Sequence, residues 1–168
     1  SEAIADGGFE QATDDTTHPN WNVSGNARFT VGESIAHNGQ NAAILGWTST
    51  PATGDLWQAV SVPADASSAA LSFWYQSLGD GSFTVDVDIT DSSGNNVLIH
   101  LTTLTTAGFE WQQYSHTFTA AELSSIAGQN TRLRFHISGV SDPEDVVIDD
   151  VSWQICTGGE PTATPTPT

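Results

Sequence analysis

Two adjacent aspartates interrupt an apolar segment near the end of the chain, in the run VVIDDVSW formed by residues 146–153. The flanking valines, isoleucine and tryptophan are typical of a β-strand, so at least one of the two carboxylates is expected to be buried. Burying an unpaired charge is costly. Asp149 and Asp150 therefore need a compensating partner, which a cation, a buried arginine, water or a substrate would supply.

Two other polar rows have the residue types of acid–base catalysis, but each has a simpler explanation. Asp86 and Asp88 resemble a pair for glycoside hydrolysis, yet carboxylates two residues apart on a strand more often form a solvated face. Gln112, Tyr114 and His116 share one strand face, which alternation alone produces. The sequence contains no Gly-x-Ser-x-Gly, His-Glu-x-x-His or phosphate-binding loop motif. We therefore expect no catalysis within this chain.

The chain is strongly acidic, and this limits its partners. Its 168 residues include 20 aspartates and glutamates against three arginines and no lysine, for a net charge of −17. Binding to nucleic acid or to anionic membranes requires many cationic side chains, so both are excluded as expected partners. No apolar run is long enough to cross a bilayer, which argues against membrane insertion. Cations, neutral ligands and basic partners remain.

A hydrophobic period of two dominates the sequence and predicts β-strands. Apolar residues alternate with polar ones in several segments, and three clear sets are Leu71, Phe73 and Tyr75, then Phe83, Val85, Val87 and Ile89, then Leu133, Phe135 and Ile137. In the third segment Arg132, Arg134 and His136 take the opposite face. Turn signals separate about ten such segments.

One short helix is also predicted. Thr119 and Glu122 have the spacing of a capping box, and Gly128 ends the segment that follows. With about ten strands and one helical turn, the predicted fold is an all-β, two-sheet antiparallel β-sandwich of the jelly-roll type, built as a single domain.

The chain divides by composition into residues 1–156 and residues 157–168. The second part reads TGGEPTATPTPT and contains no large apolar residue, which is typical of an extended linker or tail between secreted modules. The single cysteine, Cys156, has no partner for an internal disulfide, so the fold depends on its core or on a metal. With no signal-peptide pattern at Ser1, we expect a processed or excised module of a secreted, extracellular protein.

Five segments occur in an order that resembles a known group of modules. They are DGGFEQ, AHNGQNAAILGW, WQAVSVPADASSAALSFWYQ, LSSIAGQNTRLRFHI and VVIDDVSW. In this order they resemble galactose-binding-like jelly-roll modules of the carbohydrate-binding-module and MAM-like group, including accessory domains of secreted bacterial enzymes such as immune-inhibitor-A-type proteases. The resemblance covers nearly all of the chain up to Cys156 and implies the jelly-roll fold.

The resemblance also implies a structural calcium ion between the N-terminal turn and the last strand. The residues that match its ligands are Gly8, Glu10, Asn38, Gln40 and Asp149, and their oxygen atoms suit calcium. Along the last strand Asp149 shares parity with Val147, Val151 and Trp153, the expected core-facing set, so it needs a partner most. Asp150 falls on the other parity and is expected to be solvated or a lesser ligand. The alternative is that Asp149 accepts backbone N–H groups without a metal.

Modules of this group hold glycans on aromatic platforms, and the chain has six tryptophans. Trp57 and Trp74 have the parity opposite to their apolar neighbours, which predicts outward-facing indoles beside His100 and Arg134. Trp47, in an expected loop, is a third candidate for ligand contact. The alternative is that these tryptophans pack at strand ends and that Arg134 pairs with Asp86 or Asp88. Three others, Trp21, Trp111 and Trp153, are assigned to the core or its rim.

Two functions from different classes follow from these patterns. The first is a non-catalytic accessory module that binds a polysaccharide and keeps other domains of the parent chain near it, with a structural calcium site. The second is a structural or adhesive module of MAM or protease-accessory type that binds protein or spaces domains. Convergence of Trp57, Trp74 and Trp47 on one open surface would favour the first.

Overall fold

The structure is a computed structural model, and it describes residues 1–46, 53–79, 82–105, 108–138 and 145–158. The predicted linker, apart from its first two residues, lies outside the described residues, as does Trp47. Within the described ranges no helix is long and apolar enough to span a membrane.

Ten strands and one helix make up the described part of the chain. They are β1 (Trp21–Gly25), β2 (Ala27–Val31), β3 (Asn41–Leu45), β4 (Gly54–Ser61), β5 (Ala66–Ser77), β6 (Thr84–Asp91), β7 (Val97–Leu104), β8 (Gln112–Thr117), α1 (Ala120–Ile126), β9 (Asn130–Ser138) and β10 (Val146–Thr157). The predicted all-β class with one short helix is therefore confirmed.

The strands form two five-stranded sheets. Sheet I has the order β1-β4-β9-β6-β7, and sheet II has the order β2-β3-β10-β5-β8. All strand pairs are antiparallel. The two sheets enclose one large apolar core, which confirms the predicted two-sheet jelly roll.

The core contains the apolar sets that alternation predicted. Phe73 from sheet II meets Phe135 from sheet I edge to face, with ring centroids 5.0 Å apart. Trp153 stacks on Phe118 at 5.5 Å. Trp21 and Trp153 are almost completely buried, as expected. Such aromatic pairs contribute beyond the area that they bury.

The helix begins at the predicted capping box. The Thr119 hydroxyl accepts the Glu122 N–H, and the Glu122 carboxylate accepts the Thr119 N–H at 2.8 Å. Leu123 and Ile126 bury the inner face of α1 in the core. The helix thus covers the core near β5 and β7.

Strand β10 contains a β-bulge at the two aspartates, and the bulge changes which residues face the core. Before it, Ile148 belongs to the main core, and after it Val151 does. Val147 instead packs in a second apolar cluster, with Ala42 and Ile44 of β3. Asp150 has the left-handed backbone angle φ +48°. A bulge inserts one extra residue and so reverses the alternation.

The bulge corrects the sequence expectation for Asp149. Asp149 lies opposite Trp74 in the β5–β10 register, so both side chains are on the outer face of sheet II. The prediction that Asp149 shares the core-facing set with Val151 and Trp153 is therefore wrong. Asp149 is nonetheless fully buried, because the segment before β3 covers it.

The N-terminal segment lies along β10 and brings its turn to the bulge. The Ala3 N–H donates to the Trp153 carbonyl at 2.8 Å, and the Val151 N–H donates to the Gly7 carbonyl at 2.9 Å. A Cβ at Gly7 would lie 1.7 Å from the Val151 carbonyl oxygen, so only glycine fits this approach.

Truncating a core aromatic should cost far more than truncating an exposed one. Phe73 has no exposed surface and Phe109 is 60% exposed. We expect Phe73→Ala to lower the free energy of unfolding by about 4 kcal/mol, because it leaves a cavity between the sheets. Phe109→Ala should change it by about 0.5 kcal/mol or less. Urea unfolding followed by tryptophan fluorescence measures both, and equal losses would contradict this account of the core.

Candidate functional site

Backbone N–H groups compensate the buried carboxylate of Asp149. Its Oδ2 accepts the backbone N–H groups of His37 and Asn38 at 2.8 and 3.1 Å, and its Oδ1 accepts the Asp150 N–H at 2.7 Å. Three backbone donors therefore surround this carboxylate.

Burial still raises the pKa of Asp149 to about 6, against the opposing effect of these hydrogen bonds. Its folded-state pKa thus exceeds the ordinary value of 3.8. The stability that this group contributes is present below the ordinary pKa and is lost as the pH rises through about 6. At neutral pH the buried negative charge of Asp149 is unfavourable, and a nearby cation would relieve it.

Glu10 fixes the same covering segment from the other side. Its Oε1 accepts the N–H groups of Gln40 and Asn41 at 2.9 and 3.0 Å. Gly39 lies directly against this carboxylate, since a Cβ built on Gly39 would be 2.1 Å from Glu10 Oε1. Gly39 also has a positive φ of 72°, which favours glycine.

Asp150 and Gly8 complete the group. Asp150 Oδ2 accepts the Asn38 side-chain N–H at 2.6 Å and lies 2.6 Å from His37 Nδ1. Its Oδ1 is 3.9 Å from the position that a Cβ on Gly8 would occupy, and Glu10 Cγ is 3.8 Å from the same point. Asp150 is therefore hydrogen-bonded rather than merely solvated.

The structure thus brings together the three segments that carry all six predicted metal-ligating residues, which are Gly8, Glu10, Asn38, Gln40, Asp149 and Asp150. In the described ranges no three His, Cys, Asp or Glu side chains are grouped so that they would hold a metal ion by themselves. A calcium ion here would have to combine carboxylate oxygens with backbone carbonyl and amide oxygens. Calcium accepts such mixed oxygen sets, so the residue types fit.

A second group of candidates lies on the outer face of sheet I. Trp57 of β4 is directly opposite Arg134 of β9, Arg134 is opposite Asp88 of β6, and Asp88 is opposite His100 of β7. Residues directly opposite in a sheet share one face. Three predicted ligand-binding residues, Trp57, Arg134 and His100, are therefore in one row with Asp88.

Hydrogen bonds hold this row rigid. Asp88 is only 3% exposed, and its two oxygens contact Arg134 Nη2 at 2.9 Å and His100 Nδ1 at 2.7 Å. Arg134 also donates to the Gly94 carbonyl at 3.1 Å. These contacts compensate the buried charge of Asp88 and orient the exposed His100 and the partly exposed Arg134.

A parallel row lies two residues further along the strands. His136 Nδ1 is 2.8 Å from Asp55 Oδ1, and the Thr103 hydroxyl donates to Asp86 Oδ1 at 2.7 Å. Asp86 is opposite His136 in the β6–β9 register. The outer face of sheet I is thus a continuous surface of fixed polar groups beside one indole.

Sequence reasoning missed Arg132 as a site residue. Its guanidinium lies 3.8 Å from the centroid of the Trp57 ring. The signal was present, because Arg132 shares the parity of Arg134 and His136, but only the strand pairing reveals that β9 lies beside β4.

Trp74 does not join Trp57. It lies on the outer face of sheet II and stacks on the His37 ring at 4.3 Å, with an interplanar angle of 14°. Trp111 meets the same imidazole edge-on at 5.0 Å. Trp111 also packs against the second apolar cluster, at the rim where it was expected. The two outward tryptophans, Trp57 and Trp74, are therefore on opposite sides of the molecule.

Solved structures with the same fold are mainly carbohydrate-binding modules. TmCBM61, solved with β-1,4-galactotriose, is 20% identical over 93% of this chain and 99% of that module, with a TM-score of 0.67. The CBM22-1 xylan-binding domain from Paenibacillus barcinonensis Xyn10C is 10% identical over 95% and 97% of the two chains, with a TM-score of 0.56. This chain has the jelly-roll fold of carbohydrate-binding modules.

The same fold also occurs in an enzyme. A cyclase from Fischerella sp. TAU is 16% identical over 95% of this chain and 100% of that one, with a TM-score of 0.63. Neither a protein-family model nor a curated protein matches the sequence. These identities are low, so the similarity concerns the fold.

Adding a methyl group at Gly39 should disrupt the carboxylate contacts of the covering segment. Gly39 and Gly32 both have positive φ, but a Cβ at Gly32 would meet nothing within 4 Å. Gly32→Ala should therefore cost about 1 kcal/mol of unfolding free energy from backbone strain alone. Gly39→Ala should cost about 1 kcal/mol more, because it also displaces the exposed Glu10 carboxylate from the N–H groups of Gln40 and Asn41. Thermal melts of the two variants compare them, and equal melting temperatures would contradict the Glu10 contact.

Proposed function

We propose that this chain is a non-catalytic carbohydrate-binding accessory module of a secreted multidomain protein, and that it binds a polysaccharide across the outer face of sheet I. The observation that carries the proposal is the row in which Trp57 lies in register with Arg134, Asp88 and His100. The Thr/Pro composition of residues 157–168 supports a tethered module rather than an isolated domain.

The chemistry of this face suits a sugar chain. The C–H groups on one side of a pyranose ring pack well on an indole, which buries apolar surface without a charge. Fixed polar side chains then recognise the ring hydroxyls, and they bind well when they are oriented before the ligand arrives. On this face Arg134 and His100 are held by Asp88, so little conformational freedom is lost on binding.

The non-catalytic part of the proposal rests on the state of the carboxylates. Asp88 is buried, with both oxygens in contact with Arg134 and His100. Asp86 accepts the Thr103 hydroxyl. A general acid and base must reach the scissile bond, and Asp88 does not reach the surface. The cyclase with the same fold makes an assay of catalysis a necessary control.

Removing the Trp57 indole should abolish most glycan binding, whereas removing Trp74 should not. Trp57→Ala deletes the platform of the sheet I row, and we expect at least a tenfold loss of affinity. Trp74→Ala is the matched control: it removes the stacking partner of His37 on the other sheet and should lower the melting temperature without changing affinity. Isothermal titration against a panel of soluble galactans, xylans and glucans measures the first effect.

The outcomes of that titration separate the two candidate functions. No binding to any polysaccharide by the unmodified protein would contradict the proposal and favour a protein-interaction or spacer module. An equal loss of glycan affinity in Trp57→Ala and Trp74→Ala would show that the Trp57 indole is not the specific binding platform. Release of reducing sugars from any member of the panel would contradict the non-catalytic assignment.

We further propose that calcium is a structural cofactor at the bulge of β10. Glu10, Asp149 and Asp150 supply carboxylate oxygens, while Gly8, Asn38 and Gln40 supply backbone or amide oxygens. A bound ion would neutralise the buried charge of Asp149 and link the N-terminal turn to the last strand. Asp149 by itself is also compatible with the metal-free alternative, because three N–H groups already bond to it.

Chelation tests the calcium proposal directly. A ligand present at a hundred times its dissociation constant stabilises the folded state by about 2.7 kcal/mol, so EGTA should lower the melting temperature by several degrees. Glu10→Gln and Asp149→Asn should each remove most of that difference, and Asp150→Asn should remove less. Asp65→Asn, an exposed aspartate between β4 and β5, is the control and should keep the difference. Superimposable melts of the unmodified protein in calcium and in EGTA would refute the ion.

A further inference from the structure

A cavity of about 480 Å³ opens at one end of the sheet I face, next to Trp57. It lies where β4 and β9 meet the turn after β6. Its lining residues are Trp57, Ala59, Val60, Ser61, Ser92, Asn130, Thr131 and Arg132. None of them is acidic, although the chain has 20 acidic residues. The cavity is therefore a local exception to the charge of the molecule.

Arg132 differs from the other two arginines in its partners. Arg28 pairs with Glu33 at 2.8 Å, and Arg134 pairs with Asp88 at 2.9 Å. Within the described ranges, no carboxylate lies within ion-pair distance of Arg132. In a chain with this excess of carboxylates, an arginine without an ion-pair partner among the described residues is unusual. Its positive charge is available to a ligand.

Arg132 stacks on Trp57 and also lies against the turn after β6, since its Nη1 is 2.7 Å from the position that a Cβ on Gly94 would occupy. A guanidinium that lies on an aromatic ring uses its flat face, and its N–H groups point outward in the plane. The five donors of this group match the two oxygens of a carboxylate. The same contact holds the guanidinium beside Trp57, the one aromatic ring among the described residues that line the cavity.

The other polar groups of the cavity add donors. Asn130 Oδ1 accepts the Ser61 hydroxyl, and this bond directs the Asn130 NH₂ group away from Ser61. The Thr131 hydroxyl is used internally, since it donates to the Val60 carbonyl at 2.9 Å. A site with a guanidinium, an amide NH₂ and no carboxylate favours an anionic acceptor.

The net charge of the protein limits how much negative charge the ligand carries. At −17 the molecule repels a polyanion. This repulsion is screened beyond about 8 Å at physiological salt, so a single carboxylate held against Arg132 experiences mainly its local partner. A sparsely charged glycan satisfies both conditions, and a uniformly charged one does not.

We propose that the Trp57–Arg132 cavity binds the carboxylate of an isolated uronic acid unit carried by an otherwise neutral polysaccharide. This inference rests on the proposed glycan-binding function and specifies its substrate class. The carboxylate accepts hydrogen bonds from Arg132 and Asn130, and the sugar ring contacts the part of the Trp57 indole that the guanidinium leaves uncovered. The remaining neutral units extend along the row that contains Arg134 and His100.

The test compares polysaccharides that differ only in their carboxylates. Glucuronoxylan and a glucuronic-acid-bearing arabinogalactan are each prepared in native form and after reduction of the carboxyl groups to alcohols. Titration should give at least tenfold tighter binding to one native polymer than to its reduced form, and raising the salt concentration should narrow this gap. Polygalacturonate, a polyanion, should bind more weakly than the preferred native polymer.

Substitutions assign the effect to the cavity. Arg132→Gln should abolish the preference for the native polymer, and Arg132→Lys should retain part of it because the charge remains. Arg28→Gln is the matched control, since Arg28 lies on sheet II, and it should leave the preference unchanged. Melting curves of all three variants verify that they are folded.

Two negative results have different meanings. Equal affinity for native and reduced polymers would overturn the uronic acid assignment and leave the proposed glycan-binding function in place. No affinity for any polymer, charged or reduced, would overturn both. A preference that survives Arg132→Gln in a folded protein would also overturn the assignment, because another group would then recognise the carboxylate.

Discussion

The structure of the outer face of sheet II depends on the hydrogen bonds that one buried carboxylate, Asp149, accepts. Asp149 is fully buried, and three backbone N–H groups compensate part of the cost of a charge in that position. Two of these donors come from His37 and Asn38, so the segment that carries them must lie across the sheet. Asp149 faces outward opposite Trp74, and the bulge that follows it in β10 lets Val151 return to the core.

The same constraint explains why the two faces of the sandwich differ. On sheet II the covering segment places His37 on Trp74 and closes the second apolar cluster with Ile35 and Ala36. On sheet I the turn after β6 contacts the row, since Arg134 donates to the Gly94 carbonyl, but Trp57 and His100 keep exposed surface. One face is thus used for the internal connection between the chain's N-terminal turn and β10, and the other is left to solvent or to a ligand.

The arginines are distributed unequally between the outer faces of the two sheets. Two of the three arginines are on the outer face of sheet I, next to each other on β9. Arg134 has a structural role, since it neutralises the buried Asp88, whereas Arg132 stacks on Trp57 without a carboxylate partner among the described residues. Adjacent residues of one parity thus have different roles, and the difference comes from the strands that flank them.

The fold class was predictable because it depends on local patterns. Alternation in β5, β6 and β9 specified the core residues, and the capping box at Thr119 specified the helix. Each of these signals involves only residues that are close together in the sequence. The outward direction of Trp57 and the proximity of the segments around Glu10, Asn38 and Asp149 were also anticipated, the latter through a resemblance to known modules.

Other features required the tertiary structure. The side of the sheet that Asp149 faces was predicted wrongly. A bulge adds one residue without a clear sequence signal, and it reverses the inward–outward alternation of the residues that follow it. The separation of Trp57 from Trp74, and the placing of Arg132 over Trp57, depend on which strands are neighbours. Strand order is set by packing between residues distant in sequence. The sequence by itself therefore determined which residues are inward or outward along regular strands, and only the assembled sheets decided which outward residues meet.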